Sequence, residues 1–154
     1  MEAFLAGLEG TAVAQALRVS RWGYAAVNAA HIFGIALLVG SVVPLNLRLL
    51  GLWRSVPLRT IGRVLVPMAV AGLVLAATAG VILFSVRARE YAGLGVLQLK
   101  LALIAVAVAS AAAAVRTHGM ALDRDDGLKL HAVVSLACWL GALVCGRLIA
   151  FAGE

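Results

Sequence analysis

Four apolar runs, each close to 20 residues long and nearly free of charge, take up most of this chain. They extend from Trp22 to about Leu47, from about Val64 to Val86, from about Val96 to Val115, and from His131 to Ala152. About 20 consecutive apolar residues in a helix cross the roughly 30 Å hydrocarbon core of a bilayer. In that medium each backbone polar group must find its partner inside the protein, which leaves helices and closed barrels as the spanning structures. Barrel strands alternate apolar and polar residues, and these runs do not. The expected fold class is all-α: an integral membrane four-helix up-down-up-down bundle, since short loops force each helix antiparallel to the one before it. Composition agrees. Of the 154 residues 64% are hydrophobic and 13% charged, against about half and a quarter in a soluble domain. A single transmembrane domain over residues 1–154 is expected.

Before the first run, Phe4, Leu5, Leu8, Ala12, Ala16 and Val19 recur at helical spacing opposite Glu2, Glu9, Gln15 and Arg18. The pattern predicts a short interfacial amphipathic helix over roughly residues 3–19. Glu2 in place of a basic start, and Glu9 within the segment, do not fit a signal peptide. The connections are short and polar: 50–63 with Gly51, Pro57 and several Arg, 87–95, and 117–130 with the stretch Asp123-Arg124-Asp125-Asp126-Gly127. That stretch resembles a calcium loop only in its acidity; the spacing and the closing Glu are missing, and it reads as a solvated loop. Pro67 is expected near the start of the second helix, bending it without breaking it.

The net charge of +6 would suggest nucleic acid on a soluble protein, but here the cations sit mostly in loops, where they meet lipid headgroups. Loops one and three carry Arg48, Arg54, Arg59, Arg63, Arg116, Arg124 and Lys129, and the opposite side Arg18, Arg21, Arg87 and Arg89. By the positive-inside rule both termini lie outside the cytoplasm. The expected location is a plasma (bacterial inner) membrane, crossed several times.

Tyr24, Asn28 and His31, at i, i+4 and i+7, share one face of the first helix. His31 lies about 13 Å below Trp22 at the helical rise, inside the hydrocarbon, where a polar side chain is costly and turns toward the protein interior. Two readings follow. His31 is a ligand, quinone-binding or proton-relay residue, or it is a neutral cross-link between helices through Asn28, Thr78 or a backbone carbonyl. Lys100, early in the third helix, and Arg147, late in the fourth, fall at comparable depth. They either snorkel to headgroups or join Tyr24, Asn28 and His31 in one polar pocket suited to an anionic or quinone headgroup.

The fourth helix bears a stripe of His131, Ser135, Cys138, Ala142 and Cys145 with Gly146 beside it. Residues seven apart are about 10 Å distant along a helix, so His131 and both cysteines cannot share one ion whose ligands lie within about 2.3 Å. The same spacing rules out an intrahelical disulfide. A small-residue packing face accounts for the stripe better. A b-type haem held by two histidines of this chain is disfavoured, because His118 and His131 lie at the far end of their helices from His31, roughly 22 Å away. As the one metal-site candidate, His31 can ligate haem or copper only with a different partner. The chain has no phosphate-binding glycine loop, nucleophile elbow or carboxylate pair, so enzymatic activity by this chain alone is not expected.

Several stretches together resemble a family of small four-helix bacterial inner-membrane proteins of unknown function. These are His-Ile-Phe-Gly-Ile-Ala-Leu-Leu-Val-Gly at 31–40, Leu-Arg-Leu-Leu-Gly at 47–51, Leu-Lys-Leu around Lys100, Trp139-Leu140-Gly141, and Gly146-Arg147-Leu148-Ile149-Ala150. Family members usually carry Asp before Leu-Arg-Leu-Leu-Gly, where this chain has Asn46. More distantly, a His followed by a Gly-containing apolar run resembles the membrane domain of copper resistance D proteins. The resemblance implies the four-helix fold and singles out His31, Lys100, Trp139 and Arg147 without implying an activity.

Three functions fit these features. A ligand-binding or redox-associated membrane subunit would hold a quinone, haem or copper at His31. A scaffold or assembly protein would use its apolar helices with no chemistry of its own. A small transporter or channel would have to oligomerise, because four packed helices leave little room for a pore. The expected partners are membrane lipids and further copies of the chain or a membrane complex, with no role for nucleic acid.

Overall fold

The computed structural model describes residues 2–118 and 126–152. Asp123, Arg124 and Asp125 of the acidic stretch, the side chain of His118 and the C-terminal Glu154 lie outside the described residues. The elements are α1 (Glu2–Glu9), α2 (Ala12–Val19), α3 (Arg21–Leu49), α4 (Leu58–Val86), α5 (Ala88–Ala92), α6 (Gly95–His118) and α7 (Asp126–Ala152). Among the described residues there is no strand. Four helices are long and apolar enough to cross a membrane, α3, α4, α6 and α7, consistent with the expected all-α four-helix membrane bundle. The chain is a multi-pass membrane protein.

Helix ends differ from the apolar runs for a physical reason. The run marks only the stretch that must avoid water, whereas the helix continues into the headgroup zone, where polar side chains are solvated. Thus α4 begins at Leu58, not near Val64, with the carbonyl of Pro57 accepting from the amides of Thr60 and Ile61 and with Arg59 and Arg63 exposed. Similarly, α7 begins at Asp126, ahead of His131. Pro67 consequently falls well inside α4 instead of near its start, and α4 continues through it, as α3 does through Pro44. Membrane helices tolerate such prolines because neighbouring groups satisfy the freed carbonyl.

The single amphipathic helix expected over residues 3–19 is in fact two eight-residue helices. Gly10 is a poor helix former, and Thr11 starts a new helix by accepting from the amide of Ala14 at 3.3 Å while donating to the carbonyl of Leu8 at 2.8 Å.

Contacts group the chain into two compact units: Met1–Leu38 with Val70–Leu94, and Val39–Ala69 with Gly95–Glu154. In the first unit α1 packs on α5. The Glu9 carboxylate accepts from the amide of Arg89 at 3.0 Å and pairs with its guanidinium at 3.8 Å. Arg18 donates to the carbonyl of Val86, the last residue of α4, where a cation complements the helix dipole. Glu9 and Arg18, which the sequence places on the polar face opposite the apolar residues, are therefore groups that fasten this segment. Phe4, Val19 and Trp22 are exposed.

In the second unit α6 and α7 run antiparallel, with Lys100 against Gly146, Leu103 against Gly141 and Ser110 against His131. The loop after α3 is wound around a buried arginine. Arg48 donates from Nε to the carbonyl of Val56 at 2.7 Å and from Nη2 to that of Arg54 at 3.3 Å. Arg48 is thus spent on the protein's own backbone, and the exposed Arg54 of the same loop likewise donates from Nε to the carbonyl of Gly51 at 3.1 Å.

Candidate functional site

The first unit is organised around a seam where α3 and α4 touch backbone to backbone. A Cβ added at Gly34 would stand 2.5 Å from the amide nitrogen of Ala76. One added at Gly72 would stand 2.5 Å from the nitrogen of Leu38 and 2.8 Å from the carbonyl oxygen of Gly34. Small residues permit this approach between membrane helices, which lack a hydrophobic drive to associate and rely on close packing. Gly72, Ala76 and Gly80 follow at i, i+4 and i+8 and so form one stripe of α4.

His31 lies at the end of that stripe, ten residues into α3 and so about 15 Å along the helix. It is half-buried, and its Nδ1 donates to the carbonyl of Ala76 at 2.7 Å. A carbonyl can only accept, so Nδ1 carries the proton. Gly80 makes this bond possible. The side chain at i+4 normally shields a helical carbonyl from outside donors, and at Gly80 there is none. A Cβ there would stand 3.0 Å from Cε1 of the imidazole. A backbone carbonyl, one of the three options open from sequence, is thus an interhelical partner of His31. Thr78, another of those options, donates to Val74 within its own helix at 2.7 Å.

Asn28, one turn before His31, is exposed. Tyr24, a further turn toward the start of α3, is on the border of exposed, and its hydroxyl interacts with Tyr91 of α5. Burial, and then the neighbouring Tyr24, hold the Tyr91 phenol above its ordinary range. The proximity of Tyr91 to Tyr24 depends on the short helix α5, which no apolar run announces.

Of the five residues expected to share a pocket, Tyr24, Asn28 and His31 belong to the first unit and Lys100 and Arg147 to the second. Lys100 is half-buried and extends across to α7, where a Cβ on Gly146 would stand 3.1 Å from its Nζ. Arg147 is exposed and places its guanidinium 4.7 Å from the centre of the Phe151 ring, a cation–π contact.

The stripe on α7 is buried at Ser135, Cys138, Ala142 and Cys145, and both thiols are free. Its polar members join neighbouring helices: His131 Nδ1 lies 2.9 Å from Ser110 Oγ, and Asn46 donates from Nδ2 to Ser135 Oγ at 3.0 Å. Asn46 was noted from sequence only as a missing carboxylate; here it ties α3 to α7 inside the second unit. Among the described residues no group of three or more His, Cys, Asp or Glu side chains is placed to hold a metal ion. No family model, curated protein or solved structure matches the chain.

Proposed function

We propose that the chain is a subunit of a bacterial inner membrane that binds the headgroup of a quinone-type ligand at His31, with Asn28 and Tyr24 along the same helix face. The bond from Nδ1 to the Ala76 carbonyl carries this reading. It fixes the plane of the ring and its tautomer, so that in the neutral imidazole Nε2 is the basic nitrogen. Histidines that ligate or accept in buried sites are oriented in this way by a bond at the other nitrogen. A hydroquinone hydroxyl is a donor suited to Nε2, and the Asn28 amide supplies both a donor and an acceptor one turn away. Haem or copper would have His31 as a single ligand from this group of residues, with the next drawn from another chain. A quinone needs hydrogen bonds only, which favours it.

The test is chemical analysis of the protein purified in mild detergent: an absorbance spectrum, metal determination and solvent extraction. A quinone extracted in near-stoichiometric amount, and lost on His31→Leu, is the expected result. A Soret band or stoichiometric copper would replace the quinone by those groups. An empty extract with a featureless spectrum would overturn ligand binding and leave the second reading, a membrane scaffold. The specific observation favouring that second reading is the seam itself: Gly34 and Gly72 bring two backbones into contact, and the His31 bond then serves only to lock them. The basic-residue count supports an orientation with both termini outside the cytoplasm.

A further inference from the structure

We propose that Lys100 and Arg147, with Gly146 between α6 and α7, form a site for the phosphate of an anionic phospholipid. The site belongs to the second unit and does not depend on the reading at His31. Lys100 lies five residues into the membrane-capable stretch of α6 and Gly146 five residues from the end of that of α7. Each is about 7.5 Å from its helix end, a level near the boundary between hydrocarbon and headgroups. The ammonium does not follow α6 outward to water. It is directed across the groove, onto the space that Gly146 leaves, with Nζ 3.1 Å from where a Cβ would stand.

Among the described residues no carboxylate pairs with Lys100. A half-buried cation with no carboxylate beside it among the described residues favours an anion there. Arg147 follows Gly146 in the chain and rests its guanidinium on Phe151, one turn nearer the helix end; it offers a planar fork of donors of the kind that pairs with phosphate oxygens, and Lys100 supplies a point charge.

The surroundings select a lipid as the source of that phosphate. Only 6% of the apolar window of α6 is buried inside the chain. Leu99 and Leu101 on either side of Lys100, and Leu143 and Leu148 on α7, are exposed. A phosphate at the cations would send its acyl chains toward the bilayer centre, past Leu101 and Leu143. A free anion would gain nothing from them.

The full chain, delipidated in mild detergent, is titrated with phosphatidylglycerol, phosphatidylcholine and inorganic phosphate, and bound lipid is counted by native mass spectrometry. Phosphatidylglycerol is expected to bind about tenfold more tightly than phosphatidylcholine, which carries the same phosphate but adds a choline cation that Lys100 and Arg147 repel. Inorganic phosphate should not displace it. Lys100→Gln should abolish the preference, and Gly146→Leu, which keeps the charge but fills its seat, should weaken it. Equal affinity for the two lipids would overturn the proposal, as would full displacement by inorganic phosphate, which would mark a site for the free anion. The lipid comparison uses the unaltered chain, so it decides the matter even if a variant fails to fold.

Discussion

Gly72→Ala adds a single methyl group where the structure has no room for it. That carbon would stand 2.5 Å from the backbone nitrogen of Leu38, 2.8 Å from the backbone oxygen of Gly34 and 2.9 Å from Cβ of Leu37. None of these is the end of a flexible side chain, so no rotamer change relieves the clash and the helices themselves must part. Ordinary contact begins at 3.4 Å, so the separation needed is about 0.9 Å, enough to forfeit a large share of the dispersion along the seam. Passed on to the 2.7 Å bond between His31 and Ala76, it stretches that bond to about 3.6 Å, past the range of a hydrogen bond. Overpacking of this kind costs about 1–3 kcal/mol, and an interhelical bond in a membrane about 0.6–2 kcal/mol. The better helix propensity of Ala returns only about 1 kcal/mol. Gly40→Ala is the control: it lies in α3, the helix that Gly72 touches, and meets nothing within 4 Å, so propensity acts alone and the variant gains up to about 1 kcal/mol. Unfolding both variants in mixed micelles with rising dodecyl sulfate, followed by circular dichroism, measures the difference. If Gly72→Ala is as stable as Gly40→Ala to within about 0.5 kcal/mol, the backbones do not touch and the account of how His31 is held fails with them.

Burial raises the Tyr91 phenol above its unfolded value, so its contribution to stability is complete below about pH 10, the unfolded value, and is lost as pH rises through the folded one. Alkaline loss of melting temperature should therefore be smaller in Tyr91→Phe than in the parent; equal losses would show that Tyr91 does not titrate in the transition. Replacing Cys138 and Cys145 together by Ala, both buried and free, should leave any bound quinone or metal in place, and a metal lost with them would assign those thiols a ligand role. Arg48→Ala strips two carbonyls of their donor, at about 1–3 kcal/mol, and should speed tryptic cleavage at Arg54; Arg48→Lys should not restore protection, because an ammonium lacks the fork. An export-dependent reporter joined to the C-terminus should be active, and activity of a cytoplasmic reporter there would reverse the orientation.

The four long helices were legible because the bilayer leaves so few alternatives: a 20-residue apolar run must satisfy its backbone internally, and a helix does so from local sequence alone. The features that position the site were not legible in the same way. Gly72, Ala76 and Gly80 stand at a spacing known to favour close helix contact, yet a chain with 16 glycines and many alanines offers that spacing repeatedly, and only the packed structure selects which copy is used. The break at Gly10 and Thr11 had a local signal, a helix cap within an apolar pattern, but the periodicity of the apolar residues runs across it and hid it. Depth was readable for Lys100, direction was not. Along α6 it could equally have reached outward to water, and what turns it across the groove is the missing side chain of Gly146 on another helix.

His31 shows why these two levels cannot be separated. Its polarity and depth mark it in the sequence, but the orientation of its ring is a product of the seam. Gly34 and Gly72 set how near α4 comes, that distance sets which carbonyl Nδ1 can reach, and Gly80 leaves that carbonyl open. Any chemistry at Nε2 is therefore inherited from helix packing, and a variant of His31 changes both at once. Gly80→Ala separates them, since it keeps the imidazole but puts a carbon 3.0 Å from Cε1, which pushes the ring off the Ala76 carbonyl. If His31 is only a cross-link, Gly80→Ala and His31→Gln should cost similar stability and neither should alter what the protein carries. If His31 holds a ligand, Gly80→Ala should weaken ligand binding through the misaligned ring even in preparations whose stability is restored by lipid.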